Sequence, residues 1–77
     1  MPKAYILVNV NSGSEDRVLK AAKGLDGVVE AFVCYGVYDL IFKVKANSME
    51  ELKELVNRRL RSIENVKSTL TLMLIEE

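Results

Sequence analysis

Histidine and tryptophan are absent from these 77 residues, cysteine occurs once, and 11 Lys+Arg balance 11 Asp+Glu to a formal charge of zero. Each absence excludes something. Without imidazole there is no histidine base or ligand, and the single thiol of Cys34 can neither close an internal disulfide nor build a Cys-rich zinc site. Metal chemistry would have to rest on carboxylates alone, so no metal and no cofactor is expected. Zero net charge removes the cationic footprint with which a chain neutralises phosphates, and direct DNA binding is not expected. The longest apolar runs, such as Tyr5 to Val8 and Leu70 to Ile75, fall far short of the roughly 20 residues that span a bilayer. No cationic start, long apolar stretch and small-residue cleavage site follow one another, so a cytoplasmic protein without a membrane role is expected. The glycines at 13, 24, 27 and 36 match neither the dinucleotide fingerprint nor the phosphate loop. What is there is a globular mixture, 49% hydrophobic and 29% charged, which rules out a disordered chain. The length suits one domain with one modest core.

The order of the elements follows from punctuation and periodicity. Ala4 to Val10 is a β-branched and aromatic run closed by Asn11-Ser12-Gly13, and reads as a strand. Ser12 followed by Glu15 has capping-box spacing and predicts a helix start, after which Val18, Leu19, Ala22 and Leu25 recur at helical intervals until Gly24 or Gly27 stops them. Val28 to Tyr35 and Leu40 to Lys45 are strand-like, with Gly36-Val37-Tyr38-Asp39 as the hairpin turn. Ser48 with Glu51 opens a second helix, whose Met49, Leu52, Val56 and Ile63 form an apolar stripe flanked by Leu55 and Leu60. Asn65 can end it. Val66 to Ile75 is the last strand, and Glu76 and Glu77 read as a frayed end.

The order is βαββαβ, and its two halves are alike: Ile6 corresponds to Phe42, Val8 to Val44 and Leu19 to Leu55. This predicts an α+β, ferredoxin-like sandwich, a four-stranded antiparallel sheet with two helices on one face. The other face is left open, yet the strands are apolar on both sides. Tyr5 and Leu7 oppose Ile6 and Val8; Leu70, Leu72 and Leu74 oppose Met73 and Ile75; Val28, Phe32 and Cys34 oppose Val29, Ala31 and Val33. Two short helices cover one set, and the other leaves a patch on the order of several hundred Å², more than a monomer usually exposes. A homo-oligomer of at least two chains is expected.

With Leu25-Asp26-Gly27-Val28 before it and Ile63-Glu64-Asn65-Val66 and Thr69-Leu70-Thr71 after it, the hairpin Gly36-Val37-Tyr38-Asp39-Leu40 resembles the Lrp/AsnC family. The likeness is to the C-terminal effector domain, the regulation-of-amino-acid-metabolism domain, and runs over nearly the whole chain. It implies a dimeric α+β barrel type of assembly, joined sheet to sheet, with dimers built into rings and small effectors, typically amino acids, held between dimers. The first strand begins almost at Met1, which leaves no room for the helix-turn-helix of family regulators; residues 1–77 are therefore expected to be a stand-alone effector-binding and oligomerisation domain. Any transcriptional role would be indirect, through mixed assembly with a full-length Lrp/AsnC relative.

Carried over residue by residue, the resemblance puts Gly36, Tyr38 and Asp39 in the effector cleft and adds Thr69 and Thr71 of the last strand. Gly36 lets a ligand approach the backbone, Asp39 can accept from an ammonium group, and a threonine hydroxyl can bond to a carboxylate. Each has a plainer reading: Gly36 as a positive-φ turn residue, Asp39 as an Asx-turn, the threonines as good strand formers. Cys34 is expected as a packed small hydrophobe and Met49 as core, beside the Asn47-Ser48 loop; Arg58, Arg59 and Arg61 answer the dipole of the second helix. No catalytic residues are expected. Three alternatives stay open: an ACT-like regulatory module, a plain assembly module without ligand, and a small enzyme on the dimeric α+β barrel.

Overall fold

The computed structural model describes residues 1–75, so the acidic pair Glu76 and Glu77 lies outside the described residues. The elements follow in the expected order: β1 (Lys3–Val10), α1 (Glu15–Lys23), β2 (Val28–Val33), β3 (Leu40–Lys45), α2 (Met49–Glu54) and β4 (Val66–Leu74). The strands form one antiparallel sheet in the order β2-β3-β1-β4, the ferredoxin-like arrangement. Ile6 pairs with Phe42, Ala4 with Val44 and Val8 with Leu40. Because Ile6 and Phe42 are also equivalent positions of the two halves, the pseudo-two-fold relating them runs through that pair.

One face of the sheet carries the core. Ala4, Ile6, Val8 and Val10 of β1 and Leu40, Phe42 and Val44 of β3 are buried beneath Val18 and Ala22 of α1 and Leu52 of α2. Burying side chains of this size contributes about 1.5–3 kcal/mol each for the larger ones, which is what holds two short helices in place. After Glu54 the second helix continues as a π-helical segment, Leu55–Leu60, where the Arg61 N–H donates to the Val56 carbonyl five residues back (3.3 Å). Widening the turn brings Leu55, Val56 and Leu60 together into the core. Met49, expected in the core, is instead 46% exposed at the first turn of α2, while Ile63 packs against the core margin from the following turn.

The helix starts differ. Ser48 caps α2 as its spacing predicts: its hydroxyl accepts the Glu51 N–H (3.2 Å) and the Glu51 carboxylate accepts from the Asn47 N–H (3.3 Å). At α1 the cap falls on Ser14 rather than Ser12. Ser12 and Gly13 are consumed in a tight turn closed by the Ser14 N–H on the Asn11 carbonyl (3.0 Å), and the buried Ser14 hydroxyl donates to that same carbonyl instead of accepting from the helix.

Each half enters its last strand through the same device. A positive-φ residue, Gly27 (99°) or Asn65 (77°), precedes a valine whose N–H turns back to Leu25 or Ile63, and the ladder then slips by one residue. Only position 27 requires glycine on steric grounds too: a Cβ there would lie 2.8 Å from Leu55 Cδ2 and 3.0 Å from the Lys45 carbonyl oxygen. The slip corrects the face assignment in β2. Val28 pairs with Val44 and Glu30 with Lys43, so Val28 joins Ala31 against the core while Phe32 points to the open face. β2 also ends at Val33, two residues short of Tyr35.

The open face takes shape from the register. Tyr5 sits between Lys43 and Leu72, Leu7 between Ile41 and Leu70, and Phe32 lies beside Ile41. Phe32, Leu70, Leu72 and Leu74 are all exposed in the single chain.

Candidate functional site

The hairpin and the adjoining end of the sheet carry the residues expected to bind a ligand. Cys34 to Asp39 form a loop closed by the Cys34 N–H on the Asp39 carbonyl (2.9 Å), with Tyr35 fully exposed at its tip and Cys34 half-buried rather than packed away. Gly36 adopts a φ of 145°, and a Cβ there would meet nothing within 4 Å. The backbone conformation, not a lack of room, is what calls for glycine in the single chain. Tyr38 is half-buried beside it.

Asp39 does more than turn the chain. Its N–H donates to the Val8 carbonyl (3.0 Å) and its Oδ2 accepts the Val10 N–H (3.0 Å), so a side-chain oxygen continues the ladder between β3 and β1 where the backbone leaves off. This satisfies a donor that would otherwise end the strand unpaired. Among the described residues the second oxygen, Oδ1, accepts from no other donor.

Thr69 is the register partner of Val8 on the opposite side of β1, and its hydroxyl accepts from Arg61 Nε (3.2 Å). Asp39 and Thr69 therefore flank the same residue. Thr71 pairs with Ile6, further from the hairpin, and lines a groove of about 260 Å³ with Leu52, Val56 and Met73. The five expected residues thus divide into a tip (Gly36, Tyr38), a pair astride Val8 (Asp39, Thr69) and one outlier along the edge strand (Thr71). Arg61 is the polar residue that sequence reasoning did not connect to this region. Helical spacing showed only its place near a helix end; its approach to Thr69 depends on how β4 returns past the π-helical segment.

A larger hollow, about 530 Å³, lies at the other end of β3, lined by Gly27, Lys45, Asn47, Glu51 and Leu55 among others. It is remote from the hairpin. Among the described residues no group of three or more Cys, Asp or Glu is placed to hold a metal ion, and no helix is long and apolar enough to cross a membrane.

Comparison with known proteins decides the family. The family model of the Lrp/AsnC ligand binding domain matches residues 3–77. The chain belongs to the Lrp/AsnC family. An uncharacterised helix-turn-helix-type transcriptional regulator of Pyrococcus abyssi is 32% identical over 73 residues, covering 91% of this chain and 49% of the regulator. The solved structure of a hypothetical protein from Pyrococcus horikoshii superposes with a TM-score of 0.92 at 32% identity, over 100% of this chain and 93% of that one. Escherichia coli AsnC gives a TM-score of 0.91 at 25% identity, over 99% of this chain and 52% of its own. The chain spans about half the length of the curated relatives it matches. This Lrp/AsnC domain is thereby a regulatory module rather than an ACT-like one, and the curated relatives it matches are helix-turn-helix-type transcriptional regulators.

Proposed function

We propose that this Lrp/AsnC domain is an assembly and effector-sensing module: it pairs through its open sheet face, builds dimers into larger even-numbered assemblies, and binds amino acids next to the hairpin. The observation that carries the reading is the open face. Tyr5, Leu7, Ile41, Phe32, Leu70 and Leu72 are aligned by register into one apolar surface that the helices leave uncovered. Such a surface is buried most economically against a second copy of itself, since a two-fold interface sets each patch against its own equivalent. The family description as a ligand binding domain, together with Asp39 and Thr69 at the sheet end, supports a small zwitterion as effector, with Gly36, Tyr38 and Thr71 as further contacts.

In this reading the chain is not an enzyme, needs no cofactor and works in the cytoplasm. Within residues 1–77 both helices are committed to the sheet and zero net charge offers little to DNA, which supports an influence on transcription through mixed assembly with a full-length relative. A second reading, assembly without a ligand, is favoured by the bond from the Val10 N–H to Asp39, which gives that carboxylate a purely structural task. Native mass spectrometry with and without a pool of amino acids separates the two: bound-ligand mass increments support sensing, and their absence from an intact assembly supports the second.

A further inference from the structure

The open face is not apolar throughout. Tyr5 of β1 pairs with Lys43 of β3, and Lys43 with Glu30 of β2, so the row beside Leu7, Ile41 and Phe32 carries a lysine one strand in from the sheet edge. Lys43 and Tyr5 are already half-buried in the single chain. Closing this face over an unpaired ammonium group would take a charge out of water with nothing to compensate it, and that cost opposes assembly. Neither Lys43 nor Glu30 makes an ion pair among the described residues.

The bulge in β2 brings the compensating group alongside. Val28 pairs with Val44, and continued without a slip that register would set Val29 beside Lys43. The extra residue moves Glu30 into that place instead and leaves Val29 unpaired and exposed. Directly opposed residues of an antiparallel pair hold their Cβ atoms about 5 Å apart on one face, within reach of a lysine and a glutamate. Because β2 is an edge strand, the lysine stem can lie along the apolar surface while its head meets the carboxylate at the rim. In the separated chain both groups are hydrated and gain little from pairing; when the face closes, water leaves and their attraction strengthens.

We propose that Glu30 is the residue that lets the open face close over Lys43, the two forming an ion pair within each chain at the seam. This rests on the pairing reading above and adds to it a rule for the partner. A face that compensates its own lysine asks for no charge from across the seam, so it fits a second copy whether or not that copy carries the same two charges.

The test is subunit exchange between isotopically labelled and unlabelled protein, followed by native mass spectrometry, with thermal melts of every variant. Glu30→Gln leaves Lys43 uncompensated and should speed exchange at least about tenfold or dissolve the assembly, since changes at an interface fall mainly on dissociation. With Lys43→Met in place, the same Glu30→Gln change should alter the rate by less than about threefold. The exchanged pair, Glu30→Lys with Lys43→Glu, should assemble as the wild type does and mix freely with labelled wild type. Glu30→Gln exchanging at the wild-type rate would overturn the assignment, as would a loss of assembly in Glu30→Gln that Lys43→Met does not restore. Exclusion of mixed dimers between the exchanged variant and the wild type would overturn it too, by placing the pair across the seam. Each of these leaves pairing through the open face intact. If the wild type is a monomer, the pairing reading itself fails and this assignment with it.

Discussion

Leu72→Asp should take the assembly apart without unfolding the chain. Leu72 lies on the open face opposite Tyr5, and 46% of it is still exposed in the single chain. Complete burial of a leucine contributes about 1.5–3 kcal/mol, so the exposed share leaves about 1 kcal/mol per protomer, or about 2 kcal/mol per dimer, to be gained at a two-fold seam. Aspartate forfeits that gain and adds a carboxylate from each chain, whose desolvation costs several kcal/mol per ion when no partner compensates it. The sum exceeds about 6 kcal/mol, more than a ten-thousandfold increase in the dissociation constant. In the separated chain the same aspartate stays in water. Sedimentation velocity at micromolar concentration should therefore show an oligomer for the wild type and a monomer for Leu72→Asp, with unchanged far-ultraviolet circular dichroism. Met73→Asp is the control on the other face. Met73 borders the groove with Leu52 and Val56 but is 42% exposed, so its aspartate can keep its charge hydrated; a loss of about 1–2 kcal/mol of stability with the assembly retained is expected. A Leu72→Asp protein that remains a folded oligomer would refute the assignment of the seam.

Three further perturbations test the local arguments. Gly27→Ala combines a φ of 99° with a clash against Leu55 and the Lys45 carbonyl, and should cost about 2–4 kcal/mol in thermal or chemical unfolding, whereas an unchanged midpoint would contradict the packing described. Ser48→Ala removes the bond that accepts the Glu51 N–H and should cost about 1 kcal/mol, while Ser12→Ala, at a position that caps nothing, should change the melting midpoint little; the reverse order would restore Ser12 as the cap. Asp39→Asn keeps an oxygen for the Val10 N–H, so stability should move by less than about 1 kcal/mol while amino-acid affinity falls by about 1.5–3 kcal/mol; a melt that collapses with the amide in place would make Asp39 a structural residue first.

The element order and the two faces of the sheet were legible because they depend on local chemistry and period. Turn clusters, the Ser48 and Glu51 cap, and the alternation of Ile6 and Val8 with Tyr5 and Leu7 all act within a few residues of one another. What could not be read depends on contacts between distant segments. The slip after Val28 reverses the facing of part of β2, and it arises where Gly27 is pressed against Leu55 and Lys45, far along the chain. Position 14 became the cap because a turn used up Ser12 and Gly13, a competition between two plausible local structures. For the site, Asp39 stood out as the hairpin's charge, but its bond to Val10 requires β1 to lie alongside β3. Thr69 and Thr71 looked equivalent in sequence; pairing puts one level with Val8 and the other level with Ile6. Arg61 carried no signal at all, since nothing local distinguishes it from Arg58 and Arg59, of which Arg58 pairs with Glu54 (3.7 Å).

Assembly through the open face and amino-acid sensing in the assembled state are the two properties proposed for this Lrp/AsnC domain. A native mass spectrum of the protein, recorded alone and with a mixture of the twenty amino acids, tests both parts at once. Dimers and higher even multiples are expected in both spectra, with discrete mass increments of one or a few amino acids on the assembled species when the mixture is present. A spectrum of monomers alone, unchanged by the mixture, would contradict both properties.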